Sequence, residues 1–590
     1  MKQFFKMFFA SLLAIVISGV ILFGIFIGML VGVATKSSKD NKTKANSVLV
    51  IDVEKRIHEQ AQANPFAIFT NETGNAGLYD VTQSIKHAQK DDNIKGILIK
   101  LSGSTNGWAT MQQLRMAITD FKSSKKFVYA YGEDITQGAY YLGSAADSIY
   151  ANPVGEVILK GFSTEMPFFK GTLEKLEVQP EIYYAGKFKS ATEPFRADKM
   201  SDANKLQVSV YQQSMWNEFL KAVTEHTHLD SNAINQLTQT GAIEFPADAL
   251  KYKLVDGVLY WDEVEQRIRN KTGQKESETI NYVALSDYAE KEKGDNISAD
   301  DKIAVLYAEG DIKDGEQEND YEIASKTFIE SIRKARKNDN IKAVVLRVNS
   351  PGGSAAASEI ILHELQLLKQ KKPVVVSMGD LAASGGYYIS CVGDSIFALP
   401  NTITGSIGVF SMLFSTEGLM KNKLGVTFDG VKTAPYADFP TATRPLNEAE
   451  AKRMQHAVDN IYTLFKSRVS VGRKLRPEDV DSIAQGRVWT GTDALKIGLV
   501  DAIGGLDRAI SSAAALAKVK TYKVIGYPEP RDKIKELFHK MNSSTDASAM
   551  VQKSMQEQLG SDYEWLKKIK ELRQMNGKAM MAMPFIFNVQ

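Results

Sequence analysis

Four serines in the second half of the chain lie in loops that could support acyl transfer. The stretch from Ile341 to Phe410 contains two apolar runs, AVVLRV and PVVVSM, and each leads into a loop of glycines and small hydroxyl residues. Backbone N–H groups at the mouth of a sheet can stabilise the oxyanion that forms when a hydroxyl attacks a carbonyl group. The sequence therefore predicts an acyl-transfer site with four candidate nucleophiles, Ser350, Ser354, Ser384 and Ser406.

A serine hydroxyl needs a base to become a nucleophile, and the sequence favours lysine over histidine for this role. The seven histidines lie in charged helical or loop segments, outside the glycine-rich motifs. A lysine must be neutral to accept a proton, so its pKa must fall from about 10.4 towards about 7–8, and burial can cause such a shift. Lys189 lies among small and aromatic residues in YYAGKFKSATEPF, and Lys187 would add like-charge repulsion if it lay close.

The body of the chain is a duplication. DDNIKGILIK, which starts at Asp91, corresponds to NDNIKAVVLR, which starts at Asn338, an offset of 338 − 91 = 247 residues. The same offset places FVYAYGEDITQGAYYLGSAADSIYANP over VVVSMGDLAASGGYYISCVGDSIFALP. One unit therefore occurs twice, from about residue 48 to 282 and from about residue 302 to 527, with the charged segment EKEKGDNISADD as the linker.

The two copies differ at their polar loop residues, which indicates a single site shared between them. At the common offset the segment around Ser406 falls on ILKG, so that Leu159 takes the place of the serine. Ser384, the main rival nucleophile, falls on Gln137, and the Pro-Gly-Gly step of NSPGGS has no counterpart. Conversely, the second copy has no lysine at the position of Lys189. One copy thus keeps the serines and the other keeps the lysine.

Together these motifs resemble the signal peptide peptidase A family, in its long bacterial form with two tandem domains. The resemblance rests on TGSIGV, GKFKSATEPF, NSPGGS and ASGGYYIS and extends over almost the whole chain. It implies a serine protease with a Ser/Lys dyad, in which Ser406 is the nucleophile and Lys189 the general base. For the oxyanion we expect backbone N–H groups of the Pro-Gly-Gly turn and of the turn after Ser406, at Gly353 and Gly408. No cofactor and no metal are expected.

Alternating apolar strands and helices in each copy predict an α/β layered fold, with a longer amphipathic helix around residues 203–227 and 448–468. The resemblance narrows this fold to two tandem Clp/crotonase-like domains, built of ββα repeats, after an N-terminal transmembrane helix. From Met7 to Ala34 there are 28 uncharged residues, more than the roughly 20 that a membrane-spanning helix needs. We therefore expect an anchor with its juxtamembrane residues (1–46), a first repeat domain with the lysine (47–295), a second with the serine (296–528) and a C-terminal helical tail (529–590).

The overall charge argues against a nucleic-acid partner, because 72 basic and 70 acidic residues leave a formal charge of only +2. Cys391 is the only cysteine, so no intramolecular disulfide can form. The resemblance implies a homo-oligomer, with a tetramer favoured, held by a single span in the cytoplasmic (inner) membrane with its catalytic domains on the outer, periplasmic side. The expected substrates are remnant signal peptides left in the membrane and other apolar peptides.

Three alternatives stay open at this point. Ser384 could be the nucleophile, because its A-A-S-G-G turn resembles that of Clp-type proteases, although no histidine accompanies it. The same loops could serve a crotonase-like enzyme that acts on an acyl-CoA thioester. A duplicated domain that has lost its site could instead be a non-catalytic, membrane-anchored scaffold, which would hydrolyse no peptide.

Overall fold

The computed structural model describes residues 17–18, 43–61, 76–292, 299–318, 321–529 and 577–583. Apart from Ile17 and Ser18, the predicted membrane anchor at Met7–Ala34 lies outside these residues. Within the described ranges, no helix combines the length and the apolar character that crossing a membrane requires.

Strands and helices alternate along both copies. The strands of the described ranges are β1 (Ser47–Asp52), β2 (Ile94–Lys100), β3 (Phe127–Ile135), β4 (Ser148–Val157), β5 (Gln179–Ala185), β6 (Gly257–Val258), β7 (Asn281–Ala284), β8 (Lys302–Glu309), β9 (Asp311–Lys313), β10 (Glu322–Ala324), β11 (Ile341–Ser350), β12 (Gly352–Ser354), β13 (Val374–Ala383), β14 (Ser395–Ala398), β15 (Ile403–Gly405), β16 (Val409–Ser415), β17 (Val488–Thr490), β18 (Ala502–Ile503), β19 (Lys523–Tyr527) and β20 (Ala579–Ala582).

The α-helices of the same ranges are α1 (Leu78–Ala88), α2 (Trp108–Phe121), α3 (Gln137–Gly143), α4 (Lys170–Lys175), α5 (Glu193–Arg196), α6 (Asp202–Thr227), α7 (Ser231–Thr240), α8 (Pro246–Lys251), α9 (Trp261–Thr272), α10 (Leu285–Glu292), α11 (Ser325–Lys337), α12 (Ala355–Lys369), α13 (Gly385–Ser390), α14 (Glu448–Arg473), α15 (Pro477–Ile483), α16 (Gly491–Lys496) and α17 (Leu506–Leu516). The two predicted long helices are α6 and α14. Each begins at a capping side chain, Ser201 for α6 and Asn447 for α14, which accepts a hydrogen bond from the first turn.

Each copy is built on a parallel sheet with the same strand order. In the first copy the order is β7-β1-β2-β3-β4-β6, and all of these pairings are parallel. In the second copy the parallel order β19-β8-β11-β13-β14-β18 repeats it, and β15 and β17 extend the sheet beside β13. The predicted duplication and α/β class are therefore confirmed.

The central strands are buried on both faces, which explains their near-continuous apolar sequences. In β11, Val344 and Leu346 pack into a core that includes α11 and α12, whereas Val345 packs on the opposite face with residues of α17. All three side chains are fully buried. A strand covered by helices on both faces needs apolar residues at successive positions, as in AVVL.

A third sheet joins the two copies, with the strand order β10-β9-β12-β20-β16-β5. In it, β5 of the first copy pairs antiparallel with β16 of the second, from Gln179 opposite Ser415 to Ala185 opposite Val409. Lys189 follows the end of β5, and Ser406 precedes the start of β16. This pairing brings the lysine of one copy to the serine of the other.

A strand also forms in the tail for which a helix was predicted. Residues 577–583 are the described part of that tail beyond residue 529, and they contain β20, which lies between β12 and β16. The segments from which the helical tail was predicted lie outside the described residues. Two neighbouring strand edges hold this short apolar segment in an extended conformation.

A buried ion pair fixes a loop of the first copy against β11. Arg347 Nε lies 2.7 Å from Glu59 Oε2, and Arg347 Nη2 lies 3.1 Å from Glu59 Oε1. Asn349 Nδ2 also donates to Glu59 Oε1 at 3.1 Å. Burial raises the pKa of Glu59, and the neighbouring Arg347 opposes this shift. The pair is a second contact between the two copies, in addition to the β5–β16 pairing.

Candidate active site

Lys189 lies in the loop that follows β5 and is held against the second copy. The N–H of Phe188 donates to the carbonyl oxygen of Gln485 at 2.7 Å, and the N–H of Lys189 donates to the carbonyl oxygen of Gly186 at 3.1 Å. Gly486 has φ +73°, and a Cβ there would lie 2.7 Å from both the Cβ and the amide nitrogen of Lys189. The lysine loop can therefore approach this closely only because residue 486 is glycine.

The side chain of Lys189 is buried beside two serines. It is 1% exposed, and its Nζ lies 2.9 Å from Ser384 Oγ and 3.1 Å from Ser406 Oγ. Nζ also donates to the carbonyl oxygen of Ser406 at 3.3 Å. Burial lowers the pKa of Lys189 to about 7, because it removes the hydration of the charged form. At neutral pH a large fraction of this amine is therefore uncharged and able to accept a proton.

Lys187 plays no part in this shift. Its side chain is exposed, and its Nζ lies over the ring of Phe188, 6.0 Å from the ring centroid. Burial accounts for the lowered pKa of Lys189, so the like-charge repulsion considered from the sequence is not needed.

Ser384 lies on a sharp turn between β13 and α13. Its φ and ψ angles are +55° and −114°, a combination that residues other than glycine rarely adopt. The turn is held on both sides, because the Ser384 N–H donates to the carbonyl oxygen of Gly405 and the Ser384 carbonyl oxygen accepts from the N–H of Tyr388, both at 2.8 Å. A strained strand-to-helix turn of this kind presents the serine hydroxyl in the nucleophile elbow of other hydrolases.

The Pro-Gly-Gly turn lies opposite the turn of Ser384. Gly353 belongs to β12 and pairs with Met581 of β20. Gly352 has φ +98°, and a Cβ there would overlap the carbonyl oxygen of Met581 and would lie 2.6 Å from the amide nitrogen of Gly385. The carbonyl oxygen of Met581 and the amide nitrogen of Gly385 therefore both lie close to Gly352.

Ser406 lies in the turn between β15 and β16 and has φ +50°. Its N–H donates to the carbonyl oxygen of Arg487 at 2.7 Å. Both its hydroxyl and its carbonyl oxygen contact Nζ of Lys189. The structure thus brings the two residues of the predicted dyad within hydrogen-bonding distance, together with the rival Ser384.

Gly408, the second predicted oxyanion donor, faces the lysine loop. A Cβ there would lie 2.8 Å from Gly486 Cα, 3.0 Å from the carbonyl oxygen of Ala185 and 3.1 Å from Lys189 Cδ. These neighbours belong to the lysine loop or to the segment that packs on it. Of the two predicted donors, Gly353 thus pairs with β20, whereas Gly408 packs against the lysine loop and Gly486.

Ser350 and Ser354, the other two candidates, have structural partners. Ser350 Oγ accepts from the N–H of Gly352 at 3.1 Å. Ser354 Oγ donates to Asp314 Oδ1 at 3.0 Å and accepts from the N–H of Ala357 at the start of α12. Neither hydroxyl is among the hydrogen-bond partners of Lys189 in the described structure.

Sequence reasoning missed two residues of the site, Gly385 and Gly486. The Gly-Gly pair directly after Ser384 was a signal for the first, because an amide at that position can face a developing oxyanion. The contact of Gly486 with Lys189 depends on the packing of one copy on the other, and the sequence around Gly486 does not predict it.

Comparison with known proteins finds the same protein family in both copies of the chain. Peptidase family S49 matches residues 120–275 and 366–520, and the Clp protease family matches residues 293–404. Protease 4 of Salmonella typhi is 38% identical over 482 residues, which are 80% of this chain and 77% of that protein. The chain belongs to peptidase family S49.

Two further relatives support the same conclusion. Protease 4 of Haemophilus influenzae is 38% identical over 449 residues, 74% of this chain and 72% of that protein. The chloroplastic serine protease SPPA of Arabidopsis thaliana is 31% identical over 460 residues, 76% of this chain and 68% of that protein. The chain is therefore an S49 serine protease, and the resemblance to the tandem-domain signal peptide peptidase A family is confirmed. The first S49 segment contains Lys189, and the second contains Ser384 and Ser406.

Proposed function

We propose that the chain hydrolyses peptide bonds with a Ser/Lys dyad formed between its two copies, with Ser384 as nucleophile and Lys189 as general base. The 2.9 Å distance between Lys189 Nζ and Ser384 Oγ carries this proposal. Neutral Lys189 removes the proton of Ser384, whose oxygen attacks the carbonyl carbon of the substrate. The protonated lysine then gives its proton to the leaving amine, and a water molecule releases the acyl group by the same route.

The sequence favoured Ser406 as nucleophile, and the groups around each hydroxyl now favour Ser384. Beside Ser384 lie the amide of Gly385 and the Gly352–Gly353 turn, and the carbonyl oxygen of Met581 lies close to both Gly352 and Gly385. Beside Ser406, its own amide already donates to a carbonyl oxygen, and Gly408 faces the lysine loop. The match to the Clp protease family, which ends at residue 404, also includes residue 384 and not residue 406.

In this proposal the backbone N–H groups of Gly353 and Gly385 stabilise the oxyanion, so that Gly385 replaces Gly408 in that role. Loss of one such donor typically costs about 3–4 kcal/mol of barrier. Ser406 becomes a positioning residue. Its hydroxyl and carbonyl oxygen, at 3.1 Å and 3.3 Å from Nζ, direct the amine of Lys189 towards Ser384.

The proposed substrates are cleaved signal peptides and other apolar peptides, as the resemblance implies. We further propose that residues 7–34 anchor the chain by a single span in the cytoplasmic membrane, with both copies on the outer side, and that the chain acts as a homo-oligomer, a tetramer being favoured. Membership of a family of serine proteases argues against the acyl-CoA alternative and against a non-catalytic scaffold.

Hydrolysis of a fluorogenic apolar peptide by Ser384→Ala and Ser406→Ala tests the assignment. The Ser384 variant should lose kcat by about 10⁴-fold or more, with KM little changed. The Ser406 variant should lose about 10- to 100-fold and should shift the pH profile, because the amine loses one hydrogen bond. Ser331→Ala, a buried serine bonded within α11, is the matched control. Full activity in Ser384→Ala would refute the role of that serine.

A further inference from the structure

The first copy contains a cavity of about 740 Å³ that is separate from the proposed active site. Its walls are the last turn of α6, part of α2 with the turn that follows it, the turn after α3, and the segment that follows α8. All of its lining residues belong to the first copy, and Lys189 is not among them. The volume lies within the range of about 300–1,000 Å³ that is typical of small-molecule sites.

Most of the charged side chains that line the cavity are paired with each other. Lys122 Nζ lies 3.1 Å from Asp147 Oδ1, and Arg115 Nη2 lies 2.9 Å from Glu225 Oε2. These four residues therefore satisfy one another at the wall of the cavity and leave little charge there for a ligand.

The carboxylate of Asp256 is different, because one of its oxygens has no protein partner. Its Oδ2 accepts a hydrogen bond from the N–H of Ile149 at 2.7 Å and lies 3.4 Å from His226 Nε2. Within the described ranges, Asp256 Oδ1 accepts no hydrogen bond. The His226 contact is too long for a strong hydrogen bond, so a ligand that displaced the imidazole would sacrifice little.

The second copy shows what a carboxylate at this position can bind. DALKYKLVDG at the cavity corresponds to DALKIGLVDA, so that Asp256 falls on Asp501 and Lys253 falls on Gly498. Both oxygens of Asp501 accept hydrogen bonds from the guanidinium group of Arg473, from Nη1 at 3.0 Å and from Nη2. Arg473 Nε donates to the carbonyl oxygen of Gly498 at 3.0 Å. This is a bidentate arrangement, the strongest that a guanidinium makes with a carboxylate.

The first copy keeps these acceptors and lacks the guanidinium. The helices α6 and α14 both contain 26 residues, and Phe219 of α6 falls on Phe465 of α14, both fully buried. The same register places Thr227, the last residue of α6, on Arg473. A short hydroxyl side chain therefore stands where the second copy supplies its own cation.

The neighbouring position explains why the space stays open. His226 falls on Gly472, where a Cβ would lie 2.2 Å from the carbonyl oxygen of Cys391. The end of α14 thus packs directly on Cys391, which a larger residue would prevent. The imidazole of His226 keeps the end of α6 away from Ser144, the counterpart of Cys391, and both of these residues line the cavity.

We propose that this cavity binds a small molecule with a guanidinium group, for which L-arginine is the simplest candidate. The guanidinium takes the place that the Arg473 side chain has in the second copy, and it donates to both oxygens of Asp256 and to the carbonyl oxygen of Lys253. The ammonium group of Lys253, which has no ion-pair partner in the described part of the chain, is available to the carboxylate of the ligand. The inference does not depend on the function proposed above, because it uses none of the catalytic groups.

Isothermal titration calorimetry of the full-length chain with L-arginine tests the proposal. We expect one site per chain with a Kd of about 1 mM or below. L-Citrulline has the same shape with a neutral urea group and should bind at least about tenfold more weakly. Asp256→Asn should weaken arginine binding by a similar factor. The matched control is Asp262→Asn, which removes an exposed carboxylate of α9 outside the cavity and should change nothing.

Unchanged affinity in a folded Asp256→Asn chain, or equal affinity for L-citrulline, would overturn the inference. The citrulline comparison needs no variant, so it decides even if Asp256→Asn does not fold. A second test gives the first copy the pattern of the second by combining His226→Gly with Thr227→Arg. The new side chain should fill the site and lower the affinity for arginine at least about tenfold. A folded double variant that binds arginine like the unmodified chain would also contradict the proposal.

Discussion

Replacing Lys189 by methionine should abolish peptide hydrolysis and yet stabilise the folded chain. Burial lowers the pKa of this lysine from 10.5 to about 7. Each unit of pKa corresponds to about 1.36 kcal/mol, so at low pH the protonated side chain opposes folding by about 5 kcal/mol. Methionine fills a similar volume without this cost. It gives up the hydrogen bonds to Ser384 and Ser406, worth about 1 kcal/mol each, which leaves a net gain of about 2 kcal/mol near neutral pH.

The gain should depend on pH in a defined direction. A lysine whose folded pKa is lowered binds more protons in the unfolded chain between the two pKa values, so the stability of the unmodified chain rises with pH from about 7 to about 10.5. Methionine does not titrate. The advantage of Lys189→Met should therefore be largest below about pH 7 and should shrink by roughly 2.5 kcal/mol between about pH 6 and about pH 9.

Urea unfolding of the two chains across this pH range measures the difference directly. Lys187→Met is the matched control, because it removes an exposed lysine two residues away and should leave both stability and activity nearly unchanged. A Lys189→Met chain that is less stable than the unmodified chain at every pH, by a constant amount, would refute the idea that burial holds this amine neutral.

Three further results should follow from the same contacts. If neutral Lys189 is the base, as proposed, the kcat/KM of the unmodified chain should rise with pH through about 7, and a profile that falls over this range would exclude that role. Gly486→Ala should lower kcat about tenfold or more, because the added Cβ displaces the lysine loop. The control Gly241→Ala, at φ +60° with open space around it, should lower stability and leave kcat unchanged in steady-state kinetics. Glu59→Met should destabilise the chain by about 3–5 kcal/mol in urea unfolding, because it leaves Arg347 buried and unpaired, and a loss below about 1 kcal/mol would contradict this reading of the pair.

The division of the site between the copies could be predicted from the sequence, because the copies align in register. Leu159 opposite Ser406 and the missing counterpart of Lys189 showed that neither copy alone keeps both groups. The same comparison could not choose between Ser384 and Ser406, since both stand in glycine-bearing turns and both are absent from the first copy. The proposal of Ser384 rests instead on the packing of β12 against the turn of Ser384, a contact that the sequence does not predict.

Strand β20 could not be predicted from the sequence, for a different reason. Four residues, AMMA, have no measurable periodicity, and methionine and alanine favour helices more than strands. Their extended conformation comes from the edges of β12 and β16, which are more than 160 residues away in the sequence. The position of Lys189 has a similar origin, because the antiparallel pairing of β5 with β16 connects segments from different copies.

The most direct test of the shared dyad is the identity of the serine that reacts with a fluorophosphonate at neutral pH, read by peptide mapping with mass spectrometry. The proposed mechanism predicts a label on Ser384, no label on Ser406, and loss of labelling in Lys189→Met. A label on Ser406, or labelling of Ser384 that persists undiminished without Lys189, would contradict it.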